Sequence, residues 1–284
     1  MRCPLSDINS MNSRVAFGTA DEVSTIRVGV VAVNYHKGTR LVQVLGALRH
    51  QTLATGLKVI IVDNSCAANE EELLRGAVQP SEQLIINSEN AGYTRACNVG
   101  ARAVLPSDYV LLLNPDIIID DPGAIETLAT CMATNPTIGV LGCLQRNDDG
   151  SYVETARHYP SLWRQILRRL RPGACSEMRL LEPLLRDPAI DIVDVDWLQS
   201  SFILIRRDLW EAIGGLDETY YVFMADVDFC RRARASGYRV SVTSLATVRA
   251  DGIRASSGGL IDVFRSRALR IHIADAVRYY WRSW

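Results

Sequence analysis

The sequence lacks any apolar run long enough to span a membrane. No stretch of its 284 residues reaches the length of about 18 consecutive apolar residues that such a helix requires. Residues 1–25 include acidic and amide side chains and lack the apolar core of a signal peptide. From these absences we expect a cytoplasmic chain that begins with a loose N-terminal tail over residues 1–25.

The sequence also lacks an excess of charge of either sign, and it lacks closely spaced pairs of cysteines. Lys and Arg total 31 against 32 for Asp and Glu, so the formal net charge of −1 provides no broad basic field for nucleic acid. The 7 cysteines form no C-x-x-C pair, and the 4 histidines have no spacing suited to a metal site. We therefore expect no nucleic-acid partner, and we interpret the cysteines as reduced residues of a core.

Short apolar segments alternate with helical segments in the first half of the chain. Apolar segments typical of buried strands lie at residues 28–33, 57–62, 84–86, 109–113 and 138–144. This alternation predicts βαβ units, and hence an α/β fold with a mainly parallel sheet flanked by helices. Ligands of such sheets bind at the carboxyl ends of the strands, so the loops that follow strands are the first places to search for chemistry.

The second half is less regular. Residues 193–205 are typical of extended chain, and residues 260–284 have helical spacing with five arginines against two aspartates. Two interpretations of this basic C-terminal helix stay open, a helix packed on the domain and a helix lying on a membrane surface.

Two loops carry side chains that suit a nucleotide. Asp63 and Asn64 follow an apolar strand, where a carboxylate can accept hydrogen bonds from a base or ribose, although the same pair is typical of a turn. Residues 90–100 open a helix, with Gly92 permitting close backbone approach and Arg95 able to pair with phosphate. This loop is neither a Walker loop nor a G-x-G-x-x-G motif.

Further carboxylates lie later in the chain. An apolar strand ends in Pro-Asp at Asp116, where Mg²⁺ or Mn²⁺ could join the carboxylate to a diphosphate. Asp226 and Asp228 precede an Arg-rich helical stretch that Gly237 closes. Taken singly, either aspartate is also typical of an ordinary acidic helix start.

In chain order these segments resemble glycosyltransferase family 2 of the rhamnosyltransferase-like type. The resemblance covers about residues 27–245 and rests on V-x-V-N-Y, V-D-N-S, N-x-G-Y-x-x-x-x-N-x-G, L-N-P-D, G-G-L-D-E and D-V-D-F-C-x-R. It implies a GT-A fold over residues 26–260, with a nucleotide-sugar half at 26–145 and an acceptor and catalytic half at 146–260. A basic amphipathic helix at 261–284 would follow.

The resemblance also implies an activity. It predicts an inverting glycosyltransferase that moves a sugar from a nucleotide-diphosphate donor, first of all dTDP-rhamnose, to a hydroxyl of a glycan or lipid-linked glycan. Such a reaction belongs to cell-envelope polysaccharide biosynthesis and allows peripheral contact with the inner face of the membrane. Asp226 would remove the acceptor proton, while Mg²⁺ or Mn²⁺ would offset charge on the departing diphosphate.

The family's functional residues map onto this sequence as follows. Donor-binding residues would be Val33, Asn34, Asp63, Asn90, Gly92, Arg95, Asn98 and Asn114. Asp116 would bind the metal, and Asp228 and Arg231 would support the base Asp226. Acceptor contacts would come from Trp197, Ser200 and Ser201.

Two positions depart from the family pattern. Ala225 stands where a Glu is common, and Ala250 stands where a late His is common, so metal dependence stays open. Asp251 could supply an oxygen ligand instead, or Arg249 and Arg254 could neutralise the diphosphate.

Two other functions remain as alternatives. A non-catalytic nucleotide-sugar-binding module is suggested by the two alanines. A sugar nucleotidyltransferase would use a similar fold, but it favours a Gly-rich basic loop after the first strand, and residues 34–38 are sparse in both respects.

Overall fold

The structure is a computed structural model, and it describes residues 26–53, 56–160, 177–250 and 267–282. The expected tail at 1–25 lies outside the described residues, as do Asp251 and Arg254. Among the helices that are described, none combines the length and the apolar composition needed to cross a membrane.

The first half of the chain forms the predicted alternation of strands and helices. Its elements are β1 (Val28–Asn34), α1 (Gly38–Arg49), β2 (Leu57–Asp63), α2 (Ala68–Ala77), β3 (Glu82–Ile86), α3 (Tyr93–Ala103) and β4 (Tyr109–Leu113). Each strand predicted from an apolar segment is present, within two residues of its expected start.

The second half is built from shorter pieces. These are β5 (Ile117–Ile118), α4 (Ala124–Thr134), β6 (Ile138–Arg146), β7 (Ala156–Arg157), a 3₁₀ turn (Glu177–Leu180), α5 (Glu182–Arg186), β8 (Ile192–Asp194), β9 (Trp197–Leu198), β10 (Phe202–Arg206), α6 (Arg207–Ala212), α7 (Ala225–Ala235), β11 (Arg239–Ala250) and α8 (Arg267–Arg282). The C-terminal stretch with helical spacing thus contains α8.

The described strands assemble into one nine-stranded sheet and a separate β7–β9 pair. The order in the sheet is β3-β2-β1-β4-β10-β6-β11-β5, with β8 on β11. Strands β3, β2, β1 and β4 run parallel, as do β6 and β11, whereas β10 runs antiparallel between β4 and β6. The mixed α/β fold with a mainly parallel sheet confirms the prediction.

Two apolar layers cover the sheet. Alternate residues of β1 supply them, since Val31 and Val33 join the layer under α3 and α7, while Val30 and Ala32 join the layer under α1 and α4. Helix α3 lies close on β1, because an added Cβ on Gly100 would meet Val31 Cγ1 at 2.4 Å. This packing places the start of α3 beside the carboxyl ends of β1 and β2.

Candidate active site

The ends of β1 and β2 hold a buried polar cluster. Asn34 and Asp63 are in register, and the Asn34 amide donates to Asp63 Oδ1 at 2.8 Å and to Glu70 Oε2 at 2.8 Å. Ser65 Oγ donates to the same Asp63 oxygen at 2.6 Å. The other oxygen, Asp63 Oδ2, is buried and has no hydrogen-bond partner among the described residues. One buried acceptor is therefore available to a ligand here, beside Val33.

The loop between β1 and α1 is closed by side chains. The backbone N–H of His36 donates to Ser65 Oγ at 2.9 Å, that of Lys37 to Asn34 Oδ1 at 3.0 Å, and that of Gly38 to Glu70 Oε2 at 2.9 Å. Three successive N–H groups that could have cradled a phosphate already have partners within the protein.

The predicted donor loop before α3 is fixed to a distant segment. Asn90 Oδ1 accepts from the Gly92 N–H at 3.1 Å, and Tyr221 Oη donates to the Asn90 carbonyl at 2.7 Å. Gly92 has φ +88°, and an added Cβ would lie 2.6 Å from the Tyr221 carbonyl oxygen. Glycine is required at this position both for the backbone conformation and for the close approach.

Two polar residues of α3 face the segment at 214–218. The Asn98 amide donates to the Leu216 carbonyl at 2.8 Å and accepts from the Leu216 N–H at 3.0 Å, so it holds that turn. Arg95 instead forms a half-exposed ion pair with Glu218 at 3.2 Å. Exposed pairs are weak, and the Arg95 guanidinium can therefore exchange this partner for an anionic ligand.

Asp226 lies in the first turn of α7, half-buried against the segment that joins β9 to β10. Its Oδ1 accepts from the Val227 N–H at 2.9 Å, and its Oδ2 accepts from the Ser200 N–H at 3.4 Å. Burial raises the pKa of the Asp226 carboxyl, and the two N–H groups and the positive charge of Arg157 oppose that shift. Tyr93 Oη donates to the Ser200 carbonyl at 3.1 Å, so the backbone of a single residue, Ser200, lies between the start of α3 and this carboxylate.

Asp228, two residues later, has a different environment. It is buried, and it pairs with Arg231 at 3.2 Å and with Arg232 at 2.7 Å. Arg232 also donates to the carbonyls of Ile213 and Gly215 at 2.8 and 2.9 Å. Asp228 therefore orients an arginine that holds the 213–215 turn in place.

The predicted metal ligand lies on the loop between β4 and β5. Asp116 directly precedes Ile117, and Ile117 pairs with Ala250 at the end of β11, the position at which the sequence resemblance leads us to expect a His. Asn114 begins this loop, and its N–H donates to the Ser201 carbonyl at 2.8 Å. Within the described ranges, no group of three or more His, Cys, Asp or Glu side chains is placed to hold a metal ion.

The arginine at the end of β11 already has acidic partners. Arg249 pairs with Asp120 at 2.5 Å and with Asp148 at 3.1 Å. The hydrogen bond and charge of Asp120 raise the pKa of Arg249. These contacts direct the Arg249 side chain to two carboxylates of the protein itself.

The three predicted acceptor residues lie near Asp226. Trp197 is buried on β9, and its indole donates to the His158 carbonyl at 2.9 Å. Ser200 contacts Asp226 through its backbone, whereas Ser201 exchanges hydrogen bonds with Gln145 at 3.0 and 3.3 Å. Trp197 and Ser201 thus have hydrogen-bond partners within the protein. Of the three residues, Ser200 is the one that contacts the Asp226 carboxylate.

A family comparison accounts for this combination of sheet and loops. The profile of the family described as "Glycosyltransferase like family 2" matches residues 26–267. The chain belongs to glycosyltransferase family 2. Membership confirms the resemblance seen in the motifs and makes the protein a glycosyltransferase.

Relatives within family 2 include rhamnosyltransferases. The chain is 32% identical over 231 residues to the N-acetylglucosaminyl-diphospho-decaprenol L-rhamnosyltransferase of Mycobacterium tuberculosis, covering 74% of this chain and 71% of that protein. It is 26% identical over 178 residues to the rhamnosyltransferase WbbL of Escherichia coli, covering 62% of each.

Solved structures share the GT-A fold. A mannosyltransferase of Pyrobaculum calidifontis in complex with GDP-Man and Mn²⁺ aligns with a TM-score of 0.61 at 17% identity, over 93% of this chain and 67% of that one. GalNAc-T7 with UDP, GalNAc and Mn²⁺ aligns with a TM-score of 0.58 at 12% identity, over 87% and 47%. At these identities the likeness concerns the fold alone.

Several residues of this family 2 site were missed by sequence reasoning. Ser65 and Glu70 complete the Asn34 cluster, Tyr221 joins the donor loop to the segment before α7, and Asp275 of α8 contacts that same segment. Ser65 lies inside a recognised motif, and its hydroxyl could have signalled a role. Glu70 and Asp275 carry no local signal, because their partners are distant in sequence.

Proposed function

We propose that this family 2 enzyme transfers a sugar from a nucleotide-diphosphate donor to a hydroxyl of a glycan or lipid-linked glycan, with inversion at the anomeric carbon. Asp226 carries the proposal. It is a half-buried carboxylate with a raised pKa, and the backbone of Ser200 connects it to the start of α3 beside the donor loop. A carboxylate in such a place suits general-base work near neutral pH.

In this proposal the donor binds to the half of the domain formed by residues 26–145. Asp63 Oδ2 accepts a hydrogen bond from the nucleoside, since it is the buried oxygen that has no protein partner. Arg95 leaves Glu218 to pair with the diphosphate near Asn90 and Gly92. Rhamnose is the first sugar to test, because the two relatives cited above are rhamnosyltransferases, and dTDP-rhamnose is the donor that we propose to test first.

The acceptor lies in the half at 146–260, beside Ser200. Its hydroxyl oxygen attacks the anomeric carbon while the hydroxyl proton moves to Asp226. The bond from that carbon to the diphosphate oxygen breaks, and its electron pair leaves with the diphosphate. One displacement inverts the anomeric centre, and Asp228 and Arg231 contribute by fixing the start of α7.

Asp116 suits a metal only in part. The described residues place no group of three or more His, Cys, Asp or Glu side chains to hold a metal, but Mg²⁺ is often held by one or two carboxylates together with substrate phosphates. Asp116 would hold Mg²⁺ or Mn²⁺ jointly with the diphosphate, and the ion would offset charge on the leaving group. Ala250 provides no ligand, so we expect metal to bind with the donor and weakly before it.

The nucleotidyltransferase alternative is not favoured. That reaction needs backbone N–H groups after β1 for a triphosphate, and those of His36, Lys37 and Gly38 are bound to side chains. A measurement of turnover distinguishes the enzyme from the alternative of a non-catalytic module, because such a module would bind nucleotide and transfer no sugar.

Calorimetric titration with UDP, dTDP, GDP and their sugars, with and without Mn²⁺ or Mg²⁺, tests the donor site. We expect one diphosphate to bind, and Asp63→Asn to weaken it about tenfold or more, as loss of a charged hydrogen bond does. The exposed control Asp187→Asn should leave affinity unchanged. Failure of every nucleotide to bind would contradict the proposal, and binding without transfer would favour the non-catalytic module.

Contact with a membrane surface belongs to the same proposal. Helix α8 turns Asp275 and Tyr279 into the protein and exposes Ile273, Val277 and Trp281, the last at 85%. Arg270, Arg278 and Arg282 are the exposed charged residues of the described side chains at 270–282. An apolar stripe flanked by arginines suits the anionic cytoplasmic leaflet, which would place the enzyme beside a lipid-linked acceptor.

Vesicle flotation tests this contact. The protein should float with vesicles that contain anionic lipid at low salt and less so at high salt, because salt screens the arginines. Replacing Val277 and Trp281 together with serine should abolish flotation, whereas Leu105→Ser, at another exposed apolar position, should not. Absence of the unaltered protein from the vesicle fraction at both low and high salt would refute the contact.

A further inference from the structure

A buried carboxylate of the C-terminal helix takes no part in the mechanism above. Asp275 on α8 is fully buried. It accepts the backbone N–H groups of Tyr221 at 3.1 Å, Val222 at 3.1 Å and Phe223 at 3.0 Å, and Arg278 donates to it at 3.1 Å. Three consecutive backbone donors thus converge on one side chain.

This convergence determines the conformation of the loop. Residues 221–223 belong to neither a helix nor a strand, so their N–H groups need partners from elsewhere. Hydrogen bonds to an ionised carboxylate are shorter and stronger than neutral ones, and successive N–H groups form a natural anion site. Asp275 therefore supplies the hydrogen-bond acceptor that these three backbone N–H groups need.

The loop connects the two parts of the proposed active site. On one side, Tyr221 donates from its hydroxyl to the Asn90 carbonyl at 2.7 Å, and its own carbonyl accepts from the Thr94 N–H at 3.4 Å. On the other side, the chain passes through Met224, at φ +64°, directly into α7 and Asp226. A shift of residues 221–223 would move both the donor loop and the base.

Helix α8 contacts the same region at further points. Arg282 donates to Thr219 Oγ1 at 3.0 Å and pairs with Asp217. The His272 ring stacks on Phe223 with a centroid distance of 4.4 Å, and Arg231 lies 5.7 Å from the centroid of the Tyr279 ring. The helix thus contacts residues 217, 219 and 221–223 of this segment, and it contacts α7 at Arg231.

We propose that Asp275 is a positioning residue for sugar transfer, which fixes residues 221–223 and thereby holds Asp226 in register with the donor loop at Asn90 and Gly92. The inference rests on the proposed role of Asp226 as the base. It adds the C-terminal helix α8 to the elements that position the proposed base.

The test is Asp275→Asn, which keeps the shape but removes the charge and turns an amide N–H₂ towards N–H donors. We expect kcat to fall roughly 10- to 100-fold, as misplacement by about 1 Å does. The dissociation constant of the nucleotide should stay within about twofold. The acidic limb of the kcat/KM profile should move to lower pH, because a loosened Asp226 is better hydrated and its pKa returns towards the ordinary value.

A matched control separates positioning from loss of stability. Asp194→Asn removes a carboxylate that pairs with Arg239 at 2.9 Å and accepts from Ser241 Oγ at 2.6 Å, away from residues 221–223. It should lower thermal stability while leaving the acidic limb in place. If Asp275→Asn behaves in the same way, with any rate loss following the folded fraction, the positioning role is overturned.

Asp226→Asn, measured alongside, distinguishes a failure of the positioning role of Asp275 from a failure of the proposed role of Asp226. An inactive Asp226→Asn with a normal Asp275→Asn would refute the positioning role and leave the proposed function intact. Near-normal turnover of Asp226→Asn would refute the base itself, and with it the role of Asp275. Loss of kcat in both variants, with the shifted limb in Asp275→Asn, is the result we expect.

Discussion

Replacing Asp226 by asparagine removes the proposed base and little else. The amide oxygen can still accept from the Val227 N–H, which contacts Asp226 at 2.9 Å, so α7 should keep its start. A positioned general base contributes about 10²- to 10⁴-fold to a rate. We therefore expect kcat to fall at least about 100-fold, while the nucleotide, which contacts other residues, binds as before.

The assay for this variant is the initial rate of transfer at saturating donor, together with calorimetric affinity for the nucleotide. The pH profile of the unaltered enzyme adds an independent test. The base works when deprotonated, and burial raises its pKa, so kcat/KM should fall with falling pH at values above the ordinary Asp pKa of about 3.9. Near-normal turnover of the variant, or an acidic limb at or below that value, would refute the reasoning.

Two further predictions concern stability. Asp228→Ala leaves Arg232 without its carboxylate and should lower the free energy of unfolding by about 3 kcal/mol, measured by denaturant titration; a change within experimental error would contradict the structural role of the pair. Gly92→Ala should destabilise by more than about 1 kcal/mol, because φ is +88° and the new Cβ would approach the Tyr221 carbonyl to 2.6 Å. The control Gly76→Ala, in a helix with no neighbour within 4 Å, should be neutral or stabilising, and equal thermal midpoints for the two alanine variants would contradict the strain at Gly92.

The sheet could be predicted from the sequence where local pattern determines structure. Strands β1, β2 and β4 are apolar runs of five to seven residues bounded by polar loops, and their order follows from the alternation with helices. The antiparallel course of β10 was not predicted, because a strand buried on both faces has the same composition in either direction. The long strand β11 was missed as well, since its polar residues interrupt the apolar pattern.

The site was predictable only in part, for a related reason. Asp63 and Asp226 lie in motifs of consecutive residues, which sequence reasoning can recognise. The contacts that fix the site join Asn90 to Tyr221 and residues 221–223 to Asp275, across 131 and about 53 positions of the chain. Such pairs depend on the tertiary fold, so the part played by α8 becomes visible only in the structure.

The most direct test of the central claim is the anomeric configuration of the transferred sugar, determined by NMR on the product made from the nucleotide-sugar that titration identifies. We predict a configuration opposite to that of the donor, because a single displacement assisted by Asp226 inverts the anomeric carbon. A product that retains the donor's configuration would contradict the account, since retention requires a second displacement that the proposed mechanism does not contain.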